Sequence, residues 1–166
     1  MSRLWDKGLP LDERVLRYTA GEDHVLDARL VPYDVRASIA HARMLAAAGL
    51  IDAGDADAIR DGLEALAAAH ADGEWEITLA DEDVHTALET RLTAAIGDAG
   101  GRLHLGRSRN DQVLTALRLY LLDACEAIGE SVDGLRAALA GLADRQGDVA
   151  LPGYTHMQQA MPSSVG

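Results

Sequence analysis

Arg107, Ser108, Arg109, Asn110, Asp111 and Gln112 follow Gly106 without a break in "GRSRNDQ", within a chain otherwise rich in alanine and leucine. Arginine supplies a planar fork that can hold a carboxylate through two parallel hydrogen bonds. Ser108 and Asn110 add hydrogen-bonding groups at the start of a helix, where the backbone N–H groups and the helix dipole favour an anion. The same run also reads as an ordinary capped helix start. Two other stretches carry histidines: "DEDVHTALETRL" around His85, and "GYTHMQQ", in which His156 stands between Thr155 and Gln158. Histidine titrates near neutral pH and can pass protons. Carboxylate clamps beside histidines suit proton transfer next to an acidic substrate. There is no Ser-His-Asp order, phosphate loop or cysteine–histidine spacing, so neither a metal nor a cofactor is expected. His24, His41, His70 and His104 show no ligand-like clustering and read as structural.

The elements that must position these residues are helical. In "DVRASIAHARMLAAAGL" the residues Val35, Ile39, Ala42, Leu45 and Ala46 share one face from Asp34 onward, and Gly49 ends the run. A second helix is expected from about Asp55 to Ala69, facing inward through Ile59, Leu63 and Leu66. "DGEWEITL" (72–79) alternates briefly and alone, and reads as an extended connector. The third helix is expected to start at Asp81 as N-cap, with Glu82 and Asp83 in its first turn. Its stripe is Val84, Leu88, Leu92 and Ile96, and Gly97 stops it. After the polar run comes the longest periodic segment, from Asp111 to Gln146, with a stripe through Val113, Leu117, Tyr120, Leu121, Ile128, Val132, Leu135, Leu139 and Leu142. At about 1.5 Å per residue it extends roughly 50 Å, and such a stripe needs other long helices to cover it. Pro152-Gly153 reads as a turn and "MQQAMPSSVG" as the start of a further helix. Residues 1–20 read as an extended arm with a short helical piece.

Composition sets the outer limits. The chain has 166 residues, 48% of them hydrophobic but only 4% aromatic, with no phenylalanine. Alanine and leucine, both strong helix formers, supply most of the apolar surface, and the expected class is all-α. A formal net charge of −12 argues against nucleic acid and against an anionic membrane surface as partners. No apolar run reaches the roughly 20 residues that span a bilayer, and "MSRLWDKGLP" lacks a signal-peptide core. A lone cysteine, Cys125, fits a reduced, cytoplasmic setting.

Taken together, "GDAGGRLHLGRSRNDQVLTALRLYL", "EDVHTALETRL", "PGYTHMQQAMP" and "LDARLVPYDVRASIAHARML" resemble argininosuccinate lyase, a family of the wider fumarase and aspartase superfamily. The resemblance runs from about residue 19 to the end, in the family's order and spacing. It implies an N-terminal helical domain, 1–106, and the first part of a central helical bundle, 107–166. It implies reversible β-elimination of argininosuccinate to arginine and fumarate, with no cofactor. Carried over by motif, Ser108, Arg109 and Asn110 hold the succinate carboxylates, His85 and Thr155 line the same pocket, and His156 is the acid/base histidine. Asp23 stands where the family usually has a substrate-contacting serine, and Leu105 where threonine is common. The family's serine-bearing "GSSxMPxKxN" loop and most of the bundle have no counterpart, so the chain reads as about the first third of a member and is expected to be inactive alone. Family members are homotetramers whose active sites combine regions from three subunits. Two other readings stand beside this one: a non-catalytic structural protein or assembly fragment on the same scaffold, and a related lyase for adenylosuccinate, aspartate or malate.

Overall fold

A computed structural model of the chain describes residues 12–166. The extended arm expected before residue 12 lies outside that range, and the helical piece is α1, Glu13–Ala20, capped by the Asp12 carboxylate on Arg14 N. A short helix α2 (Asp23–Leu26) and a 3-10 turn (Asp27–Leu30) lead into α3 (Val31–Ala47), followed by α4 (Ala53–Ala71), α5 (Val84–Ile96), α6 (Asp98–Gly101) and α7 (Arg109–Gln146). The described residues form two compact units, one ending at Tyr120 and the other comprising Leu121–Gly166.

The first unit has the core. The inward faces of α3, α4 and α5 meet through Val35, Ala42, Leu45, Ile59, Leu63, Val84, Leu88 and Leu92, the positions that the helical period marks. Gly49 ends α3: at φ 69° its N–H reaches Ala46 O while Leu50 N reaches Leu45 O. These are the paired bonds that close a helix through a left-handed residue. The connector 72–79 runs without strand pairing. It is pinned by Ile77 in the core and by Trp75, whose Nε1 donates to Leu66 O. Tyr120 closes edge-on against Tyr33, with ring centroids 5.6 Å apart.

Two sequence expectations are corrected here. The N-cap of α5 is Asp83, whose carboxylate accepts from Thr86 N at 2.6 Å, and not Asp81. Asp81 is drawn instead to Arg91, which donates to both its oxygens at 3.0 and 3.1 Å, and to Thr78 N at 2.8 Å. With that carboxylate committed and Glu82 at φ 69°, the helix starts later than expected. The second correction concerns the end of the chain, where no helix begins. Ala150–Thr155 (β1) and Gln158–Ser164 (β2) pair as an antiparallel hairpin around His156 and Met157, both at positive φ as a two-residue hairpin turn demands. Pro162 would sit in the interior of the expected helix, where it removes a hydrogen bond and clashes with the preceding turn. In the hairpin it lies opposite Pro152, and Gly153 falls at a register shift instead of in a turn. The class remains all-α with this one small sheet.

The second unit is otherwise the rest of α7. None of its residues is buried. Ile128, Val132, Leu135 and Leu139 of the expected stripe are each more than half exposed.

Candidate active site

The polar run opens α7 by capping it. Ser108 Oγ accepts from Asn110 N at 3.2 Å, and Asp111 Oδ2 accepts from Ser108 N at 3.0 Å. This reciprocal arrangement satisfies backbone donors at a helix start. The turn is tied to α3 through Arg107 and Gln112, which donate to Ser38 and Asp34, and to α5 through Arg109, which donates to Glu89.

At the centre is Asp34 on α3, fully buried, facing His85, which is 2% exposed. His85 Nδ1 lies 2.9 Å from Asp34 Oδ2. Gln112 Nε2 donates to both carboxylate oxygens at 3.2 and 3.1 Å, and Ser38 Oγ donates to Oδ1 at 3.1 Å. Burial pushes the Asp34 carboxyl up, but His85, Gln112 and the nearby Arg107 outweigh it and hold the group below the usual carboxylate range. An ionised Asp34 fixes the donor sense at His85: Nδ1 carries the proton and Nε2 faces outward from this pair.

Arg109 lies one layer further out. Its Nη1 donates to Glu89 Oε1 at 3.2 Å and to Gln112 Oε1 at 2.8 Å, while Nη2 lies 3.4 Å from Thr86 Oγ1. Glu89 Oε1 also accepts from His104 Nδ1 at 3.0 Å. Of the five guanidinium N–H donors, Nε–H and one on Nη2 have no partner among the described residues. They are free to meet a carboxylate. Arg107 directs Nη1 and Nη2 to the Ser38 hydroxyl, each at 3.2 Å, and its Nε is buried without a partner among the described residues. Burial lowers the pKa of this guanidinium, Asp34 and Glu89 pull it back, and Arg109 adds to the depression.

The structure therefore brings His85 and Arg109 into one network, with Ser108 and Asn110 at its exposed edge. Asp23 begins α2 and makes no side-chain hydrogen bond to the network. It stands one turn before Asp27, whose carboxylate accepts from Val84 N at 3.2 Å, next to His85. Thr155 and His156 are exposed and belong to the second unit, at the hairpin turn. Asp34, Ser38, Thr86, Glu89 and His104 take part in the network without having been marked by sequence reasoning. His104, which reads as structural from the sequence, reaches the network through Glu89. Only Gln112, inside "GRSRNDQ", carried a local signal. His41, also read as structural, has Nε2 3.0 Å from Leu105 O, and burial lowers its pKa. Among the described residues no group of histidine, cysteine and acidic side chains could hold a metal ion.

A family model described as "Lyase" matches residues 13–166. The chain is 51% identical to argininosuccinate lyase of Sorangium cellulosum, over 99% of its own length and 38% of that protein's. It is 40% identical to argininosuccinate lyase of Thermotoga neapolitana, over 97% of its own length and 40% of that protein's. It thus spans about two fifths of the length of these relatives. Among solved structures, it is similar to an EDDS lyase variant with bound fumarate: TM-score 0.69 and 27% identity over 96% of this chain and 31% of that one. It is also similar to a fumarate lyase from Mesorhizobium sp. BNC1, with TM-score 0.63 and 25% identity over 94% of this chain and 37% of that one. With a match that covers the three polar stretches and the elements carrying them, this chain belongs to the lyase family.

Proposed function

We propose that these residues are the N-terminal part of an argininosuccinate lyase, which cleaves argininosuccinate reversibly to arginine and fumarate. The observation that carries this reading is Arg109. It is a cation anchored through Glu89 and Gln112, with two donors to spare, beside the buried Asp34–His85 pair. Such a fork suits one carboxylate of a succinyl group. A base removes the proton from the carbon beside a carboxylate, the C–N bond breaks, and an acid protonates the departing guanidino nitrogen. Negative charge that builds on the carboxylate during proton removal is stabilised by fixed donors.

In this reading Ser108, Arg109 and Asn110 hold the dicarboxylate, with His85, Thr155 and Asp23 lining the pocket and His156 as acid/base. The division into 1–106 and 107–166, and a cytoplasmic setting, go with it. Among the described residues no helix is long and apolar enough to cross a membrane. Self-association into a tetramer is supported by the uncovered stripe of α7, because exposed apolar surface of that extent marks a contact surface. The site then draws Arg109 and His156 from different copies.

The test is a graft. Residues 1–166 replace the matching segment of the Sorangium cellulosum relative, and argininosuccinate, adenylosuccinate and aspartate are offered in turn. The expected result is fumarate release from argininosuccinate in preference to the others, and none from the 166 residues alone. A folded graft that prefers adenylosuccinate would overturn the substrate assignment, and a folded graft without any lyase activity would support the non-catalytic reading.

A further inference from the structure

Gln112 has both ends of its amide committed inside the protein. Nε2 meets the two oxygens of Asp34, Oε1 meets Arg109 Nη1, and the side chain is 1% exposed. It therefore offers a donor to an anion and an acceptor to a cation at the same time. A carboxylate in its place would face Asp34 with like charge. A hydrocarbon would leave Asp34 short of a donor and Arg109 short of an acceptor. The amide cannot be reversed, because its oxygen would then face the Asp34 carboxylate and its NH2 group the guanidinium. The charge on Asp34 thus decides which end of Gln112 reaches Arg109.

We propose that Gln112, oriented by Asp34, is a positioning residue for Arg109. Both hydrogens on Nη1 are taken, one by Glu89 and one by Gln112, from two different helices. Two anchors on one nitrogen lock the plane of the guanidinium. The free edge, Nε–H and one Nη2 hydrogen, is then held in a single orientation before any ligand arrives. An arginine side chain left to itself has several rotatable bonds to immobilise on binding, and a preset fork removes that cost. His85 and Arg109 consequently share one buried anchor, since the carboxylate that fixes the His85 ring also fixes the amide that holds the arginine. That the fork receives a dicarboxylate rests on the function proposed above, whereas the positioning does not.

The experiment is nitrogen-15 NMR of the arginine side chains in the 166-residue chain, for the wild type, Gln112→Met and Asp34→Asn. The wild type is expected to give resolved Nη signals for Arg109, reporting slow guanidinium rotation. Both substitutions are expected to collapse them. Arg91 is the internal control, because Asp81, Ala87 O and Glu76 O hold its guanidinium independently of Gln112. General unfolding loosens both arginines, but loss of positioning loosens Arg109 alone. If Gln112→Met fails to fold, Gln112→Asn takes its place, keeping the amide but falling one methylene short of bridging Asp34 and Arg109. Averaged Arg109 signals in the wild type, or resolved signals that survive substitution of Gln112 with Arg91 unchanged, overturn the proposal. Fumarate titrated into the same samples tests the ligand separately. Arg109 signals that depend on Gln112 but do not respond to fumarate would retain the positioning and remove the dicarboxylate.

Discussion

Three side chains converge on the Asp34 carboxylate, and their chemistry sets what a substitution there must do. Asparagine has one acceptor oxygen, so Asp34→Asn turns an NH2 group toward His85, Gln112 or Ser38, each of which donates to this position. Losing hydrogen bonds to a buried carboxylate and leaving a donor unpaired costs about 1–3 kcal/mol. Urea denaturation of the variant should show that loss, and one below about 1 kcal/mol would contradict the network. Asp34 also sets an acid limit. Its folded pKa lies below an unfolded value of about 3.9, so the stability it contributes is present above that value and is lost as pH falls through the folded one. Asp81, also held low once Arg91 and Thr78 outweigh its burial, acts in the same window. Asp27, raised by burial, works in the opposite sense. Stability measured downward from pH 5 should therefore fall toward pH 3, and less steeply in Asp34→Asn. The sequence marked His85 and Arg109 by type and local company. It could not mark Asp34, because the contacts that make it central bridge 51 residues to His85 and 78 to Gln112. No local spacing carries that information.

Among the elements, the helices were legible because their apolar period is regular: it names Val35, Ala42, Leu45, Ile59, Leu63, Val84, Leu88 and Leu92 of the core, but not Val31, Ala56 or Ala87. Helix ends were less legible. Asp81, Glu82 and Asp83 are all chemically able to cap, and Arg91, ten residues along the chain from Asp81, decides among them by taking Asp81. The hairpin was missed because glutamine, alanine and methionine favour helix while Pro162 forbids it, and in the described structure the proline prevails. Another element-scale constraint is the approach of α6 to α5. A Cβ on Gly100 would lie 2.8 Å from Thr93 Cα and 2.9 Å from its nitrogen, whereas one on Gly101 meets nothing within 4 Å. Backbone cannot yield as a side-chain tip can. Gly100→Ala is thus expected to destabilise by about 1–3 kcal/mol, with Gly101→Ala close to neutral. Equal melting temperatures for the two variants would contradict that packing.

For the whole molecule, the second unit buries nothing, yet α7 keeps its apolar stripe over the length that the sequence indicated. The need for partners was legible; their identity and arrangement were not, because helix periodicity says that a face must be covered without saying by what. If copies of the chain cover it, Leu135→Glu in the grafted enzyme places a charge in that contact and should lower the assembly state seen by sedimentation. Unchanged assembly would put the contact elsewhere. In the function proposed above, Arg109 holds a substrate carboxylate through its fork. The most direct measurement is the rate of fumarate formation from argininosuccinate by the graft carrying Arg109→Lys, at saturating and at low substrate. Lysine keeps the charge and loses the paired donors, so the rate at low substrate is predicted to fall by at least roughly a hundredfold, or about 2.7 kcal/mol of transition-state stabilisation. A rate equal to that of the unsubstituted graft would show that the paired donors of Arg109 do not hold the carboxylate.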